Sequence, residues 1–309
     1  MTAVTTWLRA IRLNQWTKNA VVFAAWAFAV ADASQASVAR GWRPFILVCA
    51  MALSFSLVSS AFYLLNDVSD LEADRLHPVK RKRPIAAGLI TQVAAVRAAL
   101  ALFAAGLAFP CYLVLHRPER TGGLAVLLLY TVLQCAYSGF LKRLPYVDVA
   151  VIAVGFVLRA VAGAAVISAR ISPWLLVCTF LLALFLALCK RRHERGCAAA
   201  SREVLKIYHP VALDALIVAT AVVTVGVYSG YTLAPDTVAR FGTRGLVFTA
   251  AFVALGVGRY LALVYGRGRQ DDVGRPEKVL LSDWVLWVIL AGYALTAFGA
   301  VAVARWAGR

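Results

Sequence analysis

Charge is scarce in this 309-residue chain, and negative charge is scarcer still. Asp and Glu number 15 against 32 Lys and Arg, and all four together make up 15% of the sequence. An average soluble domain carries about 25% charged residues. Hydrophobic residues reach 62%, and mean hydropathy is +0.77. One soluble core cannot hide so much apolar surface, which excludes an ordinary cytosolic enzyme, a disordered chain and a disulfide-stapled secreted domain. The six cysteines (49, 111, 135, 178, 189 and 197) form no CxxC pair and mostly lie in apolar stretches. They read as small core hydrophobes rather than zinc or redox ligands. The chain shows no strand alternation, no Gly/Ser linker and no internal repeat. It offers no Ser–His–Asp or Cys–His set for nucleophilic catalysis. An all-α, polytopic membrane protein remains.

Nine stretches are long and apolar enough to span a bilayer: roughly 19–39, 44–66, 92–115, 122–140, 146–168, 172–189, 211–233, 245–265 and 285–304. The first is the weakest, since Asp32 interrupts its end. A cleaved signal peptide competes there, because Arg9, Arg12 and Lys18 precede the apolar run and Ala31-Asp32-Ala33 imitates a cleavage site. The long basic leader, with Trp16 and Asn19 at its edge, favours a retained helix. A cytoplasmic N-terminus puts 20 of the 32 Lys and Arg on inner segments, 9 on outer ones and 3 (Arg97, Arg159, Arg259) inside spans. That asymmetry sets the N-terminus in the cytoplasm and the C-terminus outside. It also accounts for a pI near 10.1 without a nucleic-acid partner. Twelve of the 15 acids fall on the same inner side. An excess of both signs on one face is more than topology requires, and it points to polar chemistry at the cytoplasmic mouth. Residues 1–309 are expected to form a single integral membrane catalytic domain.

The second span runs into Asn66-Asp67-x-x-Asp70-x-x-x-Asp74. Spacing of i, i+3, i+7 puts the three carboxylates on one helical face with Asn66 beside them. Their mutual repulsion is relieved by a divalent cation. Oxygen ligands without Cys or His suit Mg2+, which binds through one or two carboxylates plus substrate phosphates. A plain solvated acidic helix end is the competing reading. Lys80-Arg81-Lys82-Arg83 follow closely. Acids holding a metal and cations holding spare phosphate oxygens together make a site for a phosphate–metal complex. A positive-inside loop is the simpler reading of those cations.

The Asn66-to-Asp74 pattern resembles the NDxxDxxxD motif of the UbiA-type intramembrane prenyltransferase superfamily, whose members have nine helices. The continuation through Lys80, Arg81, Arg83, Pro84 and Gly88 resembles one branch, the decaprenyl-phosphate phosphoribosyltransferases. Gln15-Trp16-x-Lys18-Asn19, Tyr137-Ser138-x-x-Leu141-Lys142, Gly155 to Gly163, Lys190-Arg191-x-x-Glu194 and Pro276-Glu277 to Asp283 resemble further parts of that branch. The resemblance covers roughly 15–285. It implies a UbiA-like bundle in a bacterial inner membrane, with its active site on the cytoplasmic side.

Prenyltransferases of the superfamily carry a second acidic motif after the sixth helix. Here that position reads Lys190-Arg191-Arg192-His193-Glu194-Arg195, one acid among four Lys and Arg. A cationic anion site stands where a second metal site would be. Such a change suits phosphoribosyl pyrophosphate, which has a diphosphate at C1 and a phosphate at C5. The resemblance then implies transfer of a 5-phosphoribosyl group to a polyprenyl (decaprenyl) phosphate, with release of diphosphate, for cell-wall arabinan precursors. Asp67 and Asp70 would be catalytic, and Asn66, Asp67, Asp70 and Asp74 would hold Mg2+. Lys18, Lys80, Arg81, Arg83, Tyr137, Lys142, Arg159, Lys190, Arg191 and Glu194 would bind substrate. The 190–195 run read as a mere membrane anchor, with Glu194 pairing Lys190 at i, i+4, is the structural alternative.

Arg159 lies mid-span, where a charge costs about 2.5–3.5 kcal/mol on insertion scales and needs a partner or polar cavity. It is expected to meet a phosphate or a carboxylate of another helix, whereas Arg259 reads as structural and Arg97 as snorkelling. Asp271-Asp272 superficially imitates the acidic pair of soluble phosphoribosyltransferases, but no strand precedes it. Prenyl transfer to an aromatic or quinone precursor shares the first motif and is the alternative activity. A transporter would explain Arg159 but not three carboxylates at one membrane face. Membrane lipids are the expected surroundings, and a homo-oligomer is compatible with the sequence.

Overall fold

The computed structural model describes residues 2–196, 207–266, 278–279 and 282–307. Every regular element among them is helical. In chain order these are α1 (Ala3–Ala10), a 3-10 segment (Leu13–Phe23), α2 (Ala24–Ala31), α3 (Ala36–Ala39), α4 (Trp42–Ser69), α5 (Leu71–Leu76), α6 (Gln92–His116), α7 (Gly122–Gly139) and α8 (Val147–Ile167). There follow α9 (Pro173–Gly196), α10 (Pro210–Leu233), α11 (Pro235–Phe241), α12 (Thr249–Tyr265) and α13 (Trp284–Ala307). Local chemistry marks several ends. The Thr91 hydroxyl caps α6 by accepting from the Ala94 amide at 3.2 Å. Pro210 and Pro235 open α10 and α11, where a missing N–H costs nothing.

Eight helical stretches are long and apolar enough to cross a membrane: Trp42–Ser69, Gln92–His116, Pro118–Gly139, Val147–Ile167, Pro173–Arg195, Pro210–Leu233, Gly245–Tyr265 and Trp284–Trp306. They match the second to ninth expected spans. The first expected span, 19–39, takes a different form. It is built from the end of the 3-10 segment, α2, a short 3-10 turn and α3. Asp32 explains the interruption, because its carboxylate accepts from the Ser34 amide (2.9 Å), the Ser34 hydroxyl (2.7 Å) and the Gln35 side chain (3.1 Å). Such local bonds compete with continued helix.

The chain divides into two compact units. The first comprises Met1–Trp26, Gly41–Lys142 and Leu158–Ala169, and the second Ala27–Arg40, Arg143–Val157 and Arg170–Arg309. Helix α4 is the spine of the first. Met51, Phe55 and Val58 are fully buried among Val22, Leu127, Tyr130 and Val166. Close approach is permitted by glycine at two places. A Cβ on Gly106 would lie 2.8 Å from Val58 Cγ2 and 3.1 Å from the Ser54 carbonyl, so α6 can lie directly on α4. A Cβ on Gly163 would lie 1.9 Å from the Val22 carbonyl oxygen, so the 3-10 segment rests on the backbone of α8. The second unit has its own core, in which Phe185, Leu188 and Cys189 of α9 meet Leu213, Ile217 and Ala221 of α10 and Val257, Tyr260 and Val264 of α12. Cys189 is buried, but Cys111 and Cys135 are exposed, so the expectation that the cysteines fill cores holds for only some of them. Cys197, Asp271, Asp272, Pro276 and Glu277 lie outside the described residues.

Candidate active site

Helix α4 carries a polar stripe through an apolar span. Ser56, Ser60, Tyr63 and Asp67 recur at i, i+4, i+7 and i+11, which aligns them on one face. The N-terminal segment is fastened along it. Asn19 Nδ2 donates to Ser56 Oγ at 2.8 Å. Trp16 Nε1 donates to Ser60 Oγ at 3.0 Å, and that hydroxyl donates to the Ile11 carbonyl at 2.8 Å. The Arg12 guanidinium lies 4.7 Å from the centre of the Tyr63 ring. It donates to Asp67 Oδ1 at 2.5 Å. Arg12 itself adopts φ 55°, ψ 53°, the left-handed region, at the bend between α1 and the 3-10 segment. A non-glycine residue there costs about 1–2 kcal/mol. The two Ser60 bonds hold the bend on either side.

At its end α4 does not simply stop. Asp70 takes φ −94°, ψ 12° and joins α4 to α5. The i to i+4 bonds continue across the joint, from the Asp70 amide to the Asn66 carbonyl (2.9 Å) and from the Asp74 amide to the Asp70 carbonyl (2.8 Å). Helical register is therefore kept, and Asp67 and Asp74 stay together. Both are buried, and both accept from Arg83 Nη1, Asp67 Oδ1 at 3.1 Å and Asp74 Oδ2 at 2.6 Å. Lys80 Nζ stands 4.0 Å from Asp74 Oδ1. Asp70 is set apart from this pair. Its half-exposed carboxylate meets Lys142 Nζ at 3.5 Å. The uninterrupted acidic face expected from the spacing is thus a buried pair plus one acid at a joint.

The loop that brings Arg83 is anchored from both ends. His77 Nδ1 accepts from the amides of Val79 (3.1 Å) and Lys80 (3.2 Å), which caps the 3-10 turn Lys80–Lys82. Ile85 and Ile90 are buried with Leu71, Leu64 and Ala95. Arg81 and Lys82 are exposed, and Asn66, Lys18 and Tyr137 are half-buried.

Arg159 is buried deeper in the same unit. Its Nε donates to Asn19 Oδ1 at 2.7 Å and its Nη2 to the Tyr130 hydroxyl at 2.9 Å. The guanidinium lies 4.7 Å from the Tyr130 ring centre and 5.8 Å from that of Phe55. The Tyr130 hydroxyl also meets Gln134 Nε2 at 2.7 Å and Ser59 Oγ at 3.0 Å. This cage meets the membrane's demand for a polar surround.

In the second unit, Lys190 Nζ is 3.8 Å from Glu194 Oε1, the i, i+4 pair read from the sequence. Arg191 is an internal clamp. It is 1% exposed, donates through Nε to Asp148 Oδ2 at 2.7 Å and bonds Glu194 through Nη1. The Tyr208 hydroxyl donates to the other Asp148 oxygen and accepts from the Tyr146 amide at 2.9 Å. Burial, then the bond to Asp148, pushes that hydroxyl well above the usual tyrosine range. Arg192 pairs with Asp214 at 2.7 Å, and Arg259 with Asp283 at 2.7 Å, which makes Arg259 structural. The Arg259 hydrogen bond holds the Asp283 carboxyl below the ordinary carboxylate range.

The donor chemistry around Asp67 and Asp74 fits a hard divalent cation. One nitrogen of Arg83 touches both carboxylates, so a single positive centre can reach both. Among the described residues no three His, Cys, Asp or Glu side chains converge into a group that could hold a metal alone. Mg2+ does not need that, since it commonly completes its shell with water and substrate phosphate. Arg12, Ser60, Asp148 and Tyr208 are absent from the residues that the sequence motifs single out. The polar stripe on α4 was the available signal for Ser60, while Arg12 read only as one cation of the basic leader. Asp148 and Tyr208 are 60 positions apart and gave none.

An all-helical, multi-pass membrane fold with a buried carboxylate pair and an adjoining basic loop defines the class. A model described as the UbiA prenyltransferase family matches residues 20–275, and the chain belongs to that family. A decaprenyl-phosphate phosphoribosyltransferase of Corynebacterium glutamicum is 35% identical over 94% of this chain and 88% of its own length. One from Mycobacterium tuberculosis is 32% identical over 96% of this chain and 94% of its own length. A UbiA homolog from Archaeoglobus fulgidus, solved bound to GPP and Mg2+, shares the fold at a TM-score of 0.68 with 17% identity, covering 96% of this chain and 99% of that one.

Proposed function

We propose that this chain transfers a 5-phosphoribosyl group from phosphoribosyl pyrophosphate to a polyprenyl phosphate, releasing diphosphate. Its full-length likeness to relatives named decaprenyl-phosphate phosphoribosyltransferase supports this reading. The observation that carries it is the end of α9, where one acid stands among cations and that acid, Glu194, is engaged by Lys190 and Arg191. Among the described residues, no group of three carboxylates gathers there to hold a second metal for a prenyl diphosphate.

Mg2+, when bound by Asp67, Asp74 and Asp70 with Asn66 beside them, would supply charge neutralisation for the leaving diphosphate. Arg83, Lys80, Arg81, Lys142 and Lys18 would bind phosphoryl oxygens by charge-assisted hydrogen bonds. Lys190, positioned by Glu194, is assigned to donor recognition, and Arg191 holds that helix end in place. Tyr137 and Arg159 are assigned to the substrate cavity. The acceptor phosphate oxygen is already anionic, so no general base is required. It forms the new bond to ribose C1 as the bond from C1 to the diphosphate breaks, from the opposite face, with inversion. Positioning and electrostatics carry the rate. The reaction takes place within one membrane domain, at the cytoplasmic side of the inner membrane, with the N-terminus inside.

The test uses purified protein in detergent with Mg2+ and a polyprenyl phosphate, offered labelled phosphoribosyl pyrophosphate or labelled prenyl diphosphate. Label from the first should enter the lipid. Consumption of the second alone, with an aromatic acceptor, would establish prenyl transfer instead, the activity compatible with the GPP-bound fold relative.

A further inference from the structure

Resting on that reading, we propose that Arg12 and Arg83 are resident counter-cations. They occupy the metal's place on Asp67 in the resting protein and pass to the diphosphate when it enters. The chain would therefore take up its metal together with a diphosphate rather than as a free ion.

Both guanidiniums converge on one atom. Asp67 Oδ1 accepts from Arg12 Nη2 at 2.5 Å and from Arg83 Nη1 at 3.1 Å, and the second group also holds Asp74. A divalent cation cannot reach that oxygen while two positive groups crowd it. The carboxylate is 4% exposed, whereas the side chains of Arg12 and Arg83 are 28% and 30% exposed. The acids are fixed and the cations have an open side. Their backbones are also fixed, Arg12 by the Ser60 bonds around its left-handed bend and Arg83 by the buried Ile85 two residues on in the loop. Only the side chains are left to swing.

Charge balance gives the direction. Asp67 and Asp74 are already matched by Arg12 and Arg83, and Lys80, 4.0 Å from Asp74, adds a further positive charge. A lone divalent ion would add two positive charges to a partly desolvated site, which is costly at low dielectric. An ion arriving with a diphosphate brings its own negative charge and gives the displaced guanidiniums an anion to hold, in the two-pronged geometry that Arg favours.

The experiment measures Mn2+ binding by electron paramagnetic resonance on the purified full-length chain, with and without inorganic diphosphate. In the unaltered protein, diphosphate should tighten Mn2+ binding about tenfold or more, within the usual range of coupling between two ligands. Arg12→Gln should bind Mn2+ alone about tenfold more tightly, and the gain from diphosphate should shrink correspondingly. Arg83→Gln repeats the test from the other side of the same oxygen, and Arg12→Lys should restore most of the coupling. Correctly folded Arg12→Gln and Arg83→Gln proteins that bind Mn2+ alone no more tightly than the parent would overturn the proposal. Because the probe is inorganic diphosphate, the result does not depend on the natural donor. Competition by prenyl diphosphate but not by phosphoribosyl pyrophosphate would remove the substrate reading and leave the counter-cation result standing.

Discussion

Asp148 in the second unit and the Asp67–Asp74 pair in the first are buried carboxylates held in opposite ways. In the second, Asp148 is locked by Arg191 and Tyr208, with all three at 0–1% exposure. Glu194 shares Arg191 with Asp148 and also meets Lys190, while Arg192–Asp214 and Arg259–Asp283 are pairs whose arginines are partly exposed. In the first unit, Asp67 and Asp74 are as deeply placed, but their partners reach in from a loop and a bend and remain partly exposed. A charge whose partner is buried beside it is a structural joint. A charge whose partner can leave is a site that can exchange one cation for another. Depth of burial is nearly the same in the two, so accessibility of the counter-ion separates them.

Four measurements break or sharpen that contrast. The largest effect is expected on turnover. Asp67→Ala or Asp70→Ala should lower product formation at least about 10²–10³-fold while the protein still inserts, the scale of losing one key electrostatic group. Full activity in either variant would dismiss the metal assignment. Next, Asp148→Ala should cost about 3–5 kcal/mol of stability, because it takes from buried Arg191 its buried partner and leaves only the part-exposed Glu194. Thermal unfolding in detergent reads this out. The double change Asp148→Leu with Arg191→Met should recover much of the loss. Asp67→Ala should lower the unfolding midpoint less than Asp148→Ala, since Arg12 and Arg83 can turn to water. A larger drop for Asp67→Ala would erase the distinction between joint and site.

Gly163→Ala tests the scaffold of the first unit. Its methyl would need to share space with the Val22 carbonyl, and overpacking of this kind costs about 1–3 kcal/mol. The smallest effect is on pH dependence in the second unit. The Asp283 carboxyl is held low by Arg259, so the pair's contribution is complete above the ordinary carboxylate range near pH 4 and fades as pH falls through the lowered value. Asp283→Asn should flatten that part of the acid limb, as followed by the unfolding midpoint from about pH 5 downward.

Much of this architecture could be read in one dimension. Eight spans emerge from hydropathy alone, because a bilayer imposes a length and a polarity that tertiary contacts cannot override. The Asp67 and Asp74 pairing follows from helical spacing, which survives the joint at Asp70 because the backbone bonds continue across it. Spacing tells which face a residue occupies but not which element arrives there. Asp148 shares a face with Arg159, yet its partners come from α9 and from Tyr208. Arg12 read as one cation of a basic leader. Its place on Asp67 depends on a left-handed bend that composition does not reveal. The stretch 19–39 read as a continuous helix because apolar content was counted, whereas the bonds of Asp32 interrupt it.

Apart from Arg12, the hydrogen bonds described above between the N-terminal segment and α4 use neutral groups: an asparagine amide, an indole, two serine hydroxyls and a backbone carbonyl. Such bonds are indifferent to ionic strength, whereas the half-open guanidinium contacts they deliver are screened by it. Frame and payload thus answer to different solution variables. Salt can loosen the grip on an incoming anion without loosening the hand that holds the gripping residue in place.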